Sequence, residues 1–363
     1  MEMKSLPRWT WIAALALLAA AALILTLVLL PASRPQATAI YYLSPTRSPE
    51  LWRAGLDGSP PRQITNTGGH IFDFTLAPDG KTVIYSAYND LGGIDLWQTG
   101  SHTASPRQLF PCGADWCINP AVSPDGKQLA FSRRKASTES GGMPDIPRVW
   151  LMDRNSGEMS ELTYDPQITG FEPSWSPDGN RLAFFDGQAG GVRVWDLSSG
   201  QEWFAHSNLG TTGRWSPDGA AMLYIDAHPG DEQPLAQVYR LDLTTGDIKL
   251  AFEQDQEAPS LADYGPPEWS AQGWVAVSIQ LLEGGSSRGI WVMQSDGSQA
   301  RQISPQEDKH YGAYRWSPDG EMLVFQQITL AGSETTPEVA VWDMQSGAVQ
   351  VIAQDASRPQ WGR

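Results

Sequence analysis

The chain has 363 residues, 41% of them hydrophobic, and a formal charge of −16. Its 41 acidic residues against 25 basic ones exclude nucleic acid and an anionic lipid surface as partners of the folded body, because both need basic patches. After an N-terminal segment, the remaining length suffices for one repeat domain and leaves no room for a separate catalytic domain.

Residues 1–8 read as a short cytoplasmic tail carrying Lys4 and Arg8. Trp9 to Leu30 follow as 22 residues without a charge, dominated by Ala and Leu. About 20 apolar residues span a bilayer core as a helix. Trp9 and Trp11 suit the interfacial aromatic belt, and the basic residues ahead of the run place the N-terminus in the cytoplasm. A cleaved secretory signal is the rival reading. Its apolar region would be only roughly 7–15 residues long, and a small-residue site at Ala37-Thr38-Ala39 lies well past the run. The run therefore reads as one uncleaved transmembrane helix over residues 9–30, a single-pass anchor. A linker, 31–38, reaches at most roughly 30 Å. With Lys4, Arg8 and Arg34 set against Glu2, the remainder of the chain carries −18.

From Ala39 onward the sequence repeats. Pro-Asp-Gly, usually after Ser, occurs as Ala77-Pro78-Asp79-Gly80, Ser123-Pro124-Asp125-Gly126, Ser176-Pro177-Asp178-Gly179, Ser216-Pro217-Asp218-Gly219 and Ser317-Pro318-Asp319-Gly320. A worn copy is Ser270-Ala271-Gln272-Gly273, and the copies stand 40 to 54 residues apart. Pro presets φ, Asp bonds its own backbone two residues on, and Gly accepts positive φ, so each copy predicts a tight hairpin turn with a structural Asp. Trp175, Trp215, Trp269 and Trp316 stand just before the turn, with Leu76 and Val122 in the same place. Each unit continues with an aromatic-rich strand, a second turn such as Ser156-Gly157 or Ser346-Gly347, and a last strand. Four strands at this period describe a β-propeller blade.

At the ends, Ala39-Ile40-Tyr41-Tyr42-Leu43 resembles the second strand of a blade, and Arg358-Pro359-Gln360-Trp361 resembles the missing first strand. The expected fold is therefore all-β: a seven-bladed β-propeller over residues 39–363, closed by pairing of its terminal strands, with six blades if the last strand does not dock. Cys112 and Cys117 precede the third unit, and in an oxidising compartment they form a small-loop disulfide; half a zinc site is the alternative and lacks further ligands.

Strand alternation sorts the loops onto two faces. One face holds the short turns. The other holds 133–147, 227–236, 281–288 and 328–337, the cysteine loop, and the stretches around His70, His206 and His310. Long loops on a rigid scaffold carry recognition, so this second face is the expected binding face, turned away from the membrane. Positions one and three before the Trp place collect polar groups: Asp73, Asn119, Glu172, Arg214, Glu268, Arg315 and Arg358. First strands line a propeller's channel, so these residues form either a mixed-charge funnel at its mouth or ion pairs between neighbouring units. Tyr311 and Tyr314 beside His310, and Trp116 between the cysteines, add aromatic surface of the kind interfaces use.

Enzyme signatures are weak. Gly285-Ser286-Ser287-Arg288-Gly289 matches a hydrolase nucleophile pattern, but that pattern needs a strand–turn–helix setting absent from a propeller loop. The five histidines show no His-x-x-x-His spacing, so no catalytic residue, metal or cofactor is assigned.

The Trp-Ser-Pro-Asp-Gly units, with strands such as Gly289-Ile290-Trp291-Val292-Met293 and Asp296-Gly297-Ser298-Gln299-Ala300-Arg301-Gln302-Ile303, resemble the WD-like repeats of the TolB propeller family over residues 40–363. Similar blades occur in prolyl oligopeptidase-like peptidases. The resemblance implies a protein- or peptide-binding platform in the cell envelope, periplasmic or extracellular. It implies neither the α/β domain that accompanies TolB's propeller nor the hydrolase domain that houses the peptidases' nucleophile. A propeller enzyme of the metal-dependent lactonase or hydrolase type, with its site at the channel mouth, is the competing expectation.

Overall fold

The computed structural model describes residues 38–101, 105–136, 146–227, 235–252, 262–281, 288–304, 309–329 and 336–362. The apolar run at 9–30, the linker up to residue 37, and much of the four long segments lie outside the described residues. Among those described, no helix is long and apolar enough to cross a membrane.

The described residues form an all-β, propeller-like fold of antiparallel four-stranded units. In the first unit the strands Ser357–Gly362, Ala39–Ser44, Glu50–Gly55 and Arg62–Gln63 pair in that order. The next pairs Ile71–Leu76, Thr82–Tyr88, Ile94–Gly100 and Arg107–Phe110. A single parallel bridge, Ile94 to Trp116, joins it to the unit that begins with Trp116–Val122. Later units open with Phe171–Trp175, Arg214–Trp215, Glu268–Trp269 and Lys309–Trp316.

The first strand shows how the units stack. Ala39, Tyr41 and Leu43 pack with Ile71, Phe74, Val83 and Tyr85 of the following unit. Ile40 and Tyr42 point the other way, onto Val324, Val339 and Trp361. Period-2 alternation thus buries both faces of one strand in two different cores.

The Ser-Pro-Asp-Gly turns are closed from within. The Ser hydroxyl donates to the Asp carboxylate at 2.5–2.7 Å in the turns at Ser123, Ser176, Ser216 and Ser317. That carboxylate also accepts the amide two residues on, as Asp125 does from Lys127 at 3.0 Å, while Gly126 sits at φ 76°. The Ser123 hydroxyl holds the Asp125 carboxyl below its ordinary range. Where Ala77 replaces Ser, Thr82 supplies the hydroxyl, donating to Asp79 at 2.6 Å. These aspartates are turn residues.

The Trp before the turn does more than fill a core. In four units the indole N–H donates across to the preceding unit's first strand: Trp175 to the Ala121 carbonyl at 2.9 Å, Trp215 to Ser174 at 3.2 Å, Trp316 to Glu268 at 3.1 Å and Trp361 to Arg315 at 2.8 Å, whereas the Trp269 N–H is buried without a partner. Leu76 and Val122 cannot do this. The units they open are joined instead by Gln360 to the Phe74 carbonyl, and by the Asn119 amide to Asp73.

Cys112 and Cys117 form a disulfide, with Cα atoms 6.2 Å apart. The loop is also fixed by buried Asp95, which accepts the Cys112 amide at 2.7 Å and the Asn89 side chain at 2.8 Å.

Candidate functional site

The first strands of the units surround a polar cavity of about 800 Å³. Each longer first strand carries one extra residue where it meets its neighbour. The pairing steps from Ile118↔Ser132 to Ala121↔Ala130, from Phe171↔Phe185 to Ser174↔Ala183, and from Gly312↔Gln326 to Arg315↔Val324. Such a bulge re-aims a side chain and recurs beside functional sites. Here Asn119, Glu172, Ala313 and Arg358 occupy it at φ 53°, 54°, 47° and 52°. For a non-Gly residue that conformation costs on the order of 1 kcal/mol each. All four line the cavity.

The cavity walls carry Arg134, Arg214, Arg315 and Arg358 against Asp73 and Glu172. Glu268 stands just behind, its carboxylate bridging two units: Arg214 Nε donates to Oε2 at 2.6 Å and Arg315 Nη1 to the same oxygen at 3.3 Å. Glu268 is therefore an ion-pair anchor. Each of these arginines also donates to a backbone carbonyl, of Gly213 and Tyr314 respectively. Replacing Glu268 by Gln should leave two partly sunken guanidiniums sharing a neutral acceptor. The expected result is a loss of about 2 kcal/mol in urea unfolding, and an unchanged midpoint would refute the anchor role.

Asp73 differs. It is 6% exposed, and its Oδ2 accepts the Asn119 amide at 2.7 Å, while Oδ1 is buried without a partner. Burial pushes its carboxyl up to about 7, with the nearby Glu172 charge adding to the rise; the Asn119 amide and Arg358 act the other way. Arg358 donates to the Phe72 carbonyl at 2.9 Å and lies 5.8 Å from the Phe72 ring centroid. Phe72 in turn meets Tyr88 at 6.0 Å and Trp116 at 6.4 Å, an aromatic group beside the disulfide loop.

Of the sequence-derived candidates, Asp73, Asn119, Glu172, Arg214, Arg315 and Arg358 face one cavity, with Glu268 behind them. His310 and Tyr311 are not among the cavity-lining residues. Tyr311 is buried against Phe325, 5.9 Å between ring centroids, because its position in the strand faces the neighbouring core. Tyr314 is likewise turned inward, donating to the Pro266 carbonyl and accepting the Ser278 amide at 2.9 Å. Neither tyrosine forms the surface expected of it. Arg134 escaped the sequence reading: it ends a second strand, outside the positions counted back from Trp, and its Nε is buried without a partner. Among the described residues no group of three His, Cys, Asp or Glu converges to hold a metal ion.

The TolB beta propeller domain family matches residues 38–266. The Tol-Pal system protein TolB of Nitratidesulfovibrio vulgaris is 28% identical over 143 residues, covering 39% of this chain and 29% of that protein. The chain spans less than half the length of the curated relatives it matches. Among solved structures, TolB from Acinetobacter baumannii superposes with a TM-score of 0.52 at 18% identity, covering 86% of this chain and 79% of that one. A puromycin-hydrolyzing peptidase of Mycobacterium tuberculosis gives 0.64 at 16% identity, over 89% of this chain and 54% of that one. At these identities the structures speak for the fold alone.

Proposed function

The chain belongs to the TolB beta propeller domain family, and from that premise we propose that it is a single-pass, membrane-anchored, extracytoplasmic seven-bladed propeller that binds an envelope protein or peptide at its central cavity. The observation that carries this reading is the cavity: about 800 Å³, walled by charged groups, of which Glu172 and Arg358 stand on strained bulges, with Phe72 in its lining. A rigid scaffold presenting convergent polar groups beside an aromatic side chain suits recognition. The uncharged run from Trp9 to Leu30 supports an anchor, and the disulfide suits an oxidising compartment.

The competing reading, a metal-dependent lactonase or hydrolase, draws on one feature, the buried Asp73 carboxylate beside the Asn119 side chain at 3.4 Å. Four arginines around that pair oppose a divalent cation, so the binding reading is preferred.

The test is photo-crosslinking in intact cells, from a benzoylphenylalanine placed at Phe72 and, as a control, at exposed Val349 on an outer strand. A discrete adduct with an envelope protein is expected from position 72 only. A cytoplasmic adduct would overturn the placement, and equal or absent adducts from the two positions would overturn the binding reading.

A further inference from the structure

We propose that the cavity is a carboxylate site: it binds a peptide segment by a free carboxylate, seated between Arg315 and Arg358 and facing Asp73. This rests on the peptide-binding reading and specifies the group recognised.

The cavity reverses the charge of the protein around it. The protein carries −16, yet the cavity wall gathers four arginines against the carboxylates of Asp73 and Glu172, with Glu268 spent on Arg214 and Arg315. An excess of positive charge concentrated in a cavity of this size, on so acidic a protein, focuses anions. Hydrogen-bonding capacity is also left unspent there. Arg358 is exposed and carries five N–H donors, of which one reaches the Phe72 carbonyl among the described residues. Within the cavity wall Asp73, more than nine-tenths buried, keeps its Oδ1 without a partner. A buried polar oxygen without a partner is a rare arrangement that calls for an explanation. Unpaired and sealed from solvent, that oxygen holds Asp73 back from ionising, so the arginines of the wall face one negative charge fewer.

A carboxylate fits better than a dianion such as phosphate. Glu172, exposed into the same space, opposes a second negative charge, and the planar guanidinium fork matches the carboxylate plane.

Protonation of Asp73 gives the site a pH response. The groups facing it are Asn119 and Glu172 from the next two first strands and Arg358 from the closing strand. With its carboxyl pushed up to about 7 by burial, Asp73 is neutral in mildly acid surroundings and charged in alkaline ones. Falling pH therefore removes a repulsive charge, so binding tightens as pH drops from 8 to 6.

The experiment uses the full chain in detergent and two pools of randomised N-acetylated hexapeptides, one with free C-terminal acids and one amidated, each made with and without Asp and Glu. Peptides retained at equilibrium are quantified by mass spectrometry at pH 6 and pH 8. The expected result is enrichment of carboxylate-bearing peptides by about tenfold or more over the amidated pool lacking Asp and Glu, greater at pH 6. The four pools separate a chain-terminal carboxylate from an acidic side chain. Arg358→Gln, at an exposed position, should abolish the preference with folding intact by circular dichroism. Asp73→Asn should bind as tightly at pH 8 as at pH 6. Equal retention of acid and fully amidated pools would overturn the carboxylate site while leaving peptide binding standing. Retention of neither pool would overturn both.

Discussion

Removal of the closing strand, residues 357–363, is expected to abolish cooperative folding. Ser357–Gly362 pairs with Ala39–Ser44 through Ala39↔Gly362, Ile40↔Trp361, Tyr41↔Gln360 and Leu43↔Ser357. Without it the buried strand Ala39–Leu43 becomes an open sheet edge, a template for aggregation. The loss also takes Trp361, whose ring fills the core of Ile40, Val324 and Val339 and whose N–H reaches the Arg315 carbonyl. On the other side go the bonds of Arg358 and Gln360 to the carbonyls of Phe72 and Phe74. Trp361→Ala alone should cost about 3–5 kcal/mol. Losing the whole strand reaches the scale of a domain's entire stability, about 5–15 kcal/mol. Urea unfolding followed by Trp fluorescence checks both. A truncated chain that still unfolds cooperatively within about 1 kcal/mol of the parent would show that the ring does not depend on closure.

Asp73→Asn is expected to act in the opposite direction. The Asp73 carboxyl lies at about 7 in the folded chain against an ordinary 3.8. Between those values the folded state holds a proton that the unfolded state has released. The stability tied to the neutral form is complete below about 3.8, declines as pH rises, and is gone once pH passes about 7. A shift of that size corresponds to roughly 4 kcal/mol at most. Asn keeps an acceptor for the Asn119 amide and cannot ionise. The variant should therefore match the parent near pH 4, exceed it by up to about 4 kcal/mol at pH 8, and lose most of the slope between. Chemical denaturation at pH 4, 6 and 8 reads all three. A variant weaker than the parent at pH 8 would mean that the carboxylate is stabilised in the folded state, contrary to its burial and its unpartnered oxygen.

The two effects differ in what made them visible. Turn chemistry is local: Ser123, Asp125, Gly126 and Gln128 satisfy one another within six residues, so the pattern alone identified the turn and the structural role of its Asp. The all-β, propeller-like repeat and the pairing of Cys112 with Cys117 were legible for the same reason. The polar positions one and three before the Trp place were visible as a group, but their separate roles were not. Glu268 went to an ion pair, whereas Asp73 kept a free oxygen, and only the arrangement of neighbouring strands distinguishes them.

Tyr311 and Tyr314 illustrate the limit most clearly. An aromatic residue on a strand serves a core or a surface according to the direction of its side chain, and one extra residue between Gly312 and Arg315 resets that direction. The sequence by itself determined the repeating unit, its turns and its apolar alternation, because those depend on interactions among near neighbours along the chain. Tertiary structure alone decided which indoles reach a neighbouring carbonyl and which, like Trp269, do not, which bulged residue enters the cavity, and that Arg134 joins it from a second strand. Those contacts join residues from separate units, and their geometry exists only once the strands have paired in register.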